Sequence, residues 1–264
     1  MKIGFIGVGN MGGALLEGFI AHGALQAGDA GAVSRGDAGR RRAEKAGAAL
    51  FADGGALAGF ADMAILAVKP QDARAALDEA RDALRGKALL SIVAGLGREA
   101  IAARLDARET RVLIALPNAP ALVGEGVVGF ARGTTFTVEE AAAAEKLFGA
   151  VATVEWVDEK LMGALSALSG SGPAFAAIFA ESLADGGVAC GLPRALASRL
   201  AARTLIGTGA LLSRTGVHPG ALKDAVSSPG GTTIEGVAAL EEGAFRGAVM
   251  DAVRRAADKF TRLL

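Results

Sequence analysis

Apolar residues fall along the first half of the chain in short β-rich runs: KIGFIGV (2–8), AGAVSR (30–35), ADMAILAV (61–68), KALLSIV (87–93) and RVLIAL (111–116). Ala-rich stretches of helical character separate them. Near-continuous apolar runs suit strands buried on both faces, and their alternation with helices predicts a parallel sheet covered on both sides. After GVVGFA (126–131) and VATVEWV (151–157) the pattern changes. From about Asp158 the sequence reads as helices broken at GLPR (191–194), GVHPG (216–220) and SSPGG (227–231). The expected organisation is an α/β domain over residues 1–156 and an all-helical domain over 157–264.

One stretch, LMGALSALSGSGPAFAAIFA (161–180), carries no charge and has about the length of a bilayer span. Ser, Gly and Pro through its middle leave it too weakly apolar for lipid. It reads as a helix buried on most sides, between domains or subunits, with no membrane association. Lys plus Arg and Asp plus Glu both number 28, without long blocks of one sign, which points away from nucleic acid and towards a small-molecule partner. A lone cysteine, Cys190, allows no internal disulfide and reads as a buried thiol in a reducing compartment. The N-terminus MKIGFIGVGN breaks into glycines too soon for a secretory segment, so a cytoplasmic location is expected.

The first run leads directly into chemistry. KIGFIGVGNMGGALLEG sets Gly7, Gly9 and Gly12, with Asn10 and Met11 among them, in G-x-G-x-x-G spacing between a strand and a helical pattern. Such glycines allow a tight turn, close approach of a pyrophosphate to helix N-terminal N–H groups, and close helix–strand packing: a dinucleotide site in a Rossmann-type doubly wound sheet. The second strand ends in Ser34 and Arg35 rather than an acid, followed by Arg40, Arg41 and Arg42. A hydroxyl beside a guanidinium suits a ribose 2′-phosphate and favours NADPH, with NADH also admissible because Asp37 stands close by. AVKPQ (67–71) and LPNAP (116–120) end later strands, which brings Lys69 and Asn118 to the carboxyl edge where ligands bind.

Proton donors are scarce. The chain has no Tyr, and its histidines are His22, read as a surface residue, and His218, read as capping or orienting a loop. No Lys occurs between Lys160 and Lys223, where the β-hydroxyacid dehydrogenases place theirs on a helix joining the two domains. A protonated imine needs no such acid, because its carbon accepts hydride without prior activation of an oxygen. The segment SSPGGTTIEG (227–236) opens a helix with unpaired N–H groups and clustered hydroxyls, a receptor for a carboxylate.

FIGVGNMGGAL, ILAVKPQ, LPNAPALVGEG, LSGSGPAF, LADGGVACGLPR and HPGALKDAVSSPGGTTIEGVAALEEGAFR occur in this order and cover nearly the whole chain. Together they resemble the pyrroline-5-carboxylate reductases. The resemblance implies a Rossmann domain followed by an all-helical C-terminal dimerisation domain. It also implies an intertwined homodimer, able to assemble further into a decameric ring, and reduction of the cyclic imine to L-proline with NADPH or NADH. It assigns Ser228, Gly230, Gly231, Thr232 and Thr233 to the substrate, with Thr233 nearest the imine nitrogen and Ser228 beside it in the catalytic set. Val68, Lys69, Pro70 and Asn118 fall to the cofactor. Ala119, Phe175 and Gly54 depart from the family's pattern, which often has Thr, Tyr and Asn there. Reduction of another cyclic imine or of a β-ketoacid, and a non-catalytic NADP sensor, remain the alternatives.

Overall fold

The computed structural model describes residues 1–105 and 109–261. They divide into two compact units, Met1–Gly170 joined by the C-terminal stretch from Ala256, and Ser171–Arg255.

In the first unit the expected runs become β1 (Ile3–Ile6), β2 (Ala30–Val33), β3 (Ala49–Leu50), β4 (Met63–Leu66), β5 (Ala88–Ser91), β6 (Arg111–Pro117), β7 (Gly126–Ala131) and β8 (Ala152–Val157). The helices between them are α1 (Asn10–Ala21), α2 (Asp37–Lys45), α3 (Gly54–Phe60), α4 (Pro70–Ala80), α5 (Arg98–Ala102) and α6 (Val138–Phe148). Strand order is β3-β2-β1-β4-β5-β6-β7-β8, parallel through β6. The all-parallel expectation needs correcting at the end, because β7 pairs antiparallel with β6 and carries β8 with it. Only a 3₁₀ turn, Ala119–Val123, joins β6 to β7, too short for the crossover a parallel pair requires.

Alternate residues of each strand feed different cores, because successive side chains point to opposite sheet faces. Phe5, Met63, Ile65 and Leu90 pack with Leu15 and Phe19 of α1 and Phe148 of α6. Ile6, Leu66 and Leu89 pack with Leu57 of α3 and Leu77 of α4. On the first face Phe19, Phe148, Phe130 and Trp156 form an edge-to-face chain with centroids 5.1–5.4 Å apart, geometry that the ring quadrupole favours.

After β8 the chain forms α7 (Met162–Leu165), a π-helical turn at Ser166–Gly170, and α8 (Gly172–Ala189). Then follow α9 (Arg194–Thr215), α10 (Pro219–Ala225), α11 (Thr232–Glu242) and α12 (Phe245–Thr261). The stretch from 161 is therefore not one uniform helix. Within the second unit the buried core is small: Ala184, Ala197 and Ala201, where α8 meets α9, with Val188 against them. Cys190 is exposed at the end of α8, not buried as expected, since α8 covers only Ala184 within the chain. Glu159–Ala189 is long and apolar enough to cross a bilayer, and of its apolar 18-residue window 11% is buried in the chain. The burial expected for this helix is thus not supplied by the single chain.

Candidate active site

The chain leaves β1 at Ile6 and turns at Gly7, whose φ of +99° is a conformation L side chains avoid; a Cβ there would also lie 2.8 Å from Val68 Cγ1. A Cβ at Gly12 would stand 2.4 Å from the Gly7 carbonyl oxygen, so this glycine lets α1 pack on the strand. Gly9 differs: a Cβ there would meet nothing within 4 Å. Gly9 is the N-cap of α1 and makes no side-chain cap, leaving the first-turn N–H groups for a ligand. Beside this turn opens a cavity of about 1040 Å³, lined by Gly7, Gly9, Asn10, Met11, Ser34, Arg35, Val68 and Lys69 among others. A volume of this order holds a dinucleotide, and open space over a helix N-terminus fits its pyrophosphate.

Arg42 braces the glycine turn from α2. Its Nε and one terminal nitrogen donate to the two carboxylate oxygens of Glu17 on α1, both at 2.6 Å. The other terminal nitrogen reaches the Gly9 and Asn10 carbonyls at 3.4 and 3.3 Å. Hydrogen bonds from Arg42 hold the Glu17 carboxyl below its ordinary pKa, and Glu17 in turn raises that of Arg42. The run Arg40 to Arg42 is thus only partly a solvated face. Arg42 was legible as a cation but not as the brace, which depends on a partner 25 residues away.

At the end of β2, Ser34 and Arg35 enter the cavity, as does Arg40, whose Nε donates to the Ser34 carbonyl at 3.0 Å. Arg35 faces Asp72 at 3.6 Å and Glu79 at 3.9 Å, both on α4 and both lining the same cavity. Sequence reading missed these acids. They lie two helical turns apart, on one face of an amphipathic helix, and only the fold brings that face to Arg35. Gly54, one of the departures, also lines the cavity and donates its N–H to Glu79 at 2.9 Å.

Lys69 is the N-cap of α4 and Pro70 its first residue, whose fixed φ suits that position. Asn118 lies outside the cavity lining, 6% exposed. Its Oδ1 accepts the Val127 N–H at 2.8 Å, and its Nδ2 donates to the Ser169 carbonyl of the π turn at 3.0 Å.

In the second unit, Ser228 to Thr233 form the entry to α11. The Ser228 carbonyl accepts the Gly231 N–H at 3.0 Å, Gly230 has φ +63°, and Gly231 is the N-cap. A Cβ at Gly231 would fall 2.2 Å from Ser228 Oγ. No side chain caps α11, although Ser228, Thr232 and Thr233 are at hand and exposed. Ser227 spends its hydroxyl on the Lys223 carbonyl at 2.7 Å. His218, by contrast, does cap: its Nδ1 accepts the Gly220 N–H at the start of α10. The α11 entry therefore keeps its first-turn N–H groups and three hydroxyls for something other than the helix itself.

Comparison with known proteins agrees with both halves. Residues 159–263 match the family model of pyrroline-5-carboxylate reductase dimerisation, and residues 2–95 that of NADP oxidoreductase, coenzyme F420-dependent. The chain is 40% identical to the pyrroline-5-carboxylate reductase of Arabidopsis thaliana, over 99% of the chain and 95% of that protein. It is also 40% identical to that of Methanosarcina acetivorans, over 99% and 97%. The solved structure of Plasmodium falciparum pyrroline carboxylate reductase with NADP bound superposes with a TM-score of 0.91 at 29% identity, covering 100% of this chain and 98% of that one.

Proposed function

The chain belongs to the pyrroline-5-carboxylate reductase family, and on that premise we infer that it reduces 1-pyrroline-5-carboxylate to L-proline with NADPH, the last step of proline biosynthesis. The observation that carries the reading is full-length identity of 40% with named reductases. The glycine-turn cavity and the uncapped, hydroxyl-rich start of α11 supply the matching chemistry.

When bound, the coenzyme would supply the hydride that C5 of the protonated imine accepts, while the C=N π pair goes to the nitrogen that already bears the proton. The protein's part is to bind and orient. First-turn N–H groups beside Gly7, Gly9, Asn10 and Met11 take the pyrophosphate, with Gly12 packing the helix close. Ser34 and Arg35 take the 2′-phosphate, and Val68, Lys69 and Pro70 border the cofactor. Asn118 is assigned to the cofactor by the family resemblance, with both ends of its amide engaged by Val127 and Ser169. At α11 the substrate carboxylate is received by N–H groups from Gly230 to Thr233, favoured by the helix dipole. The Thr233 hydroxyl addresses the imine nitrogen, with Ser228 beside it. A β-ketoacid would require an acid on its oxygen, and no Lys is found between Lys160 and Lys223.

The protein forms an oligomer through its helical half, matched by the dimerisation model. The finer reading is a homodimer able to build a decameric ring, located in the cytoplasm, with the domain boundary near residue 156 and NADH as a second coenzyme.

The test is NADPH oxidation by purified protein with pyrroline-5-carboxylate, beside the six-membered imine and a β-ketoacid. Turnover concentrated on the five-membered imine is expected. Faster turnover of either competitor, or none with any substrate, would overturn the reading.

A further inference from the structure

The end of the cavity at Arg35 carries charge of both signs. In the usual dinucleotide site an acid at the tip of the second strand accepts the ribose 2′-hydroxyl. Here that tip holds Ser34 and Arg35, and the anchored carboxylate comes from α4 instead. Glu79 is fixed on one side by the N–H of Gly54, the first residue of α3, at 2.9 Å. Its other oxygen stands 3.9 Å from Arg35. That separation is longer than a direct hydrogen bond, and both groups line the open cavity. The carboxylate therefore keeps accepting capacity on its cavity side, next to the cation read as the phosphate receptor.

We propose that Glu79 is a coenzyme-selecting residue: its carboxylate accepts the 2′-hydroxyl of the unphosphorylated dinucleotide and repels a 2′-phosphate. It offsets the preference that Arg35 imposes. Like charges side by side disfavour binding, whereas a hydroxyl donated to a carboxylate gives a charge-assisted hydrogen bond. The two coenzymes are thus discriminated by opposed groups on β2 and α4, with Asp72, 3.6 Å from Arg35, helping to hold the guanidinium. The inference rests on the proposed reading that Ser34 and Arg35 face the ribose. The plainer role for Glu79 is to cap α3, and Gln would preserve that role because its amide oxygen also accepts.

Calorimetric dissociation constants for NADPH and NADH, measured on the full-length protein and on Glu79→Gln and Arg35→Ala, separate these possibilities. Glu79→Gln is expected to raise the ratio of the NADH to the NADPH dissociation constant about tenfold, the worth of one charge-assisted hydrogen bond. Arg35→Ala is expected to lower that ratio. If Arg35→Ala shifts the ratio while Glu79→Gln leaves it unchanged or lowers it, the selecting role falls and the ribose assignment stands. If neither variant moves the ratio, both fall.

Discussion

The side-chain amide of Asn118 donates to the main-chain carbonyl of Ser169, 51 residues away, at 3.0 Å. Its oxygen meanwhile accepts from Val127 at 2.8 Å. One buried side chain thus ties the end of β6 to β7 and to the π turn before α8. In a π turn the widened backbone frees carbonyls from the regular ladder, and the Asn118 donor occupies one. Asn118→Ala should cost about 1–2 kcal/mol in stability, because two partly buried backbone groups lose their partner. Urea denaturation would measure it; an unchanged midpoint would mean that water replaces both bonds.

Gly9 and Gly12 of the first turn should separate cleanly by substitution. Gly12→Ala drives a methyl into the Gly7 carbonyl, with 2.4 Å available, and should lower stability by about 1–3 kcal/mol as overpacking does. Gly9→Ala meets no protein atom within 4 Å, so stability should hardly change while NADPH affinity falls about tenfold or more, the methyl occupying ligand space. Thermal unfolding without coenzyme and calorimetric titration with it would distinguish the two. Equal behaviour of the variants in both experiments would contradict the assignment.

The brace between Glu17 and Arg42 carries a pH signature. The folded-state pKa of Glu17 lies below its ordinary value of 4.5, first because of the hydrogen bonds from Arg42. A depressed carboxylate contributes stability that is present above 4.5 and lost as pH falls through the lowered value. Since Glu17 is 40% exposed, the contribution should stay under about 1 kcal/mol. Denaturation midpoints of wild type and Glu17→Gln should therefore converge as pH drops below that window and differ above it. A gap that persists unchanged at low pH would assign the loss to packing instead.

Thr233→Ala tests the α11 entry. Because no side chain caps this helix, removing the hydroxyl should leave stability within about 0.5 kcal/mol. Loss of an interaction made in the transition state should lower kcat about tenfold or more, with the NADPH dissociation constant nearly unmoved. If kcat persists while stability falls, Thr233 is a capping residue after all.

The parts of this architecture that were legible in sequence are those set by local pattern. β1, β2, β4, β5 and β6 appear as apolar runs because both sheet faces are covered, and Gly7, Gly9 and Gly12 are recognisable because a positive φ, ligand space and close helix packing fall at fixed spacing within one short segment. β3 is not distinct in the sequence since its two residues, Ala49 and Leu50, are exposed and lie in the Ala-rich stretch AGAALFA (46–52), which has no strand pattern. The reversal at β7 follows from a short connection, and the π turn from no local signal. Asp72 and Glu79 read as the polar face of α4, as they would in any surface helix; their role beside Arg35 exists only once β2 and α4 are assembled.

The helical half buries little apolar surface of its own. Along the 22 residues of α9, only Ala197 and Ala201 are buried within the chain. Ile178, Ile206 and Met250 stand 64%, 61% and 73% exposed. A unit whose own core is three alanines cannot offset the chain entropy of ordering its helices. Its apolar faces need cover, and oligomer formation through the matched dimerisation region provides it. Dissociation and unfolding of the helical half should therefore be one event, with a Tm that rises with protein concentration. Ile206→Glu should yield monomers by sedimentation and lose helical circular dichroism together. A variant that sediments as a monomer with full helicity, or a wild-type Tm independent of concentration, would show that the helices are stable without a partner.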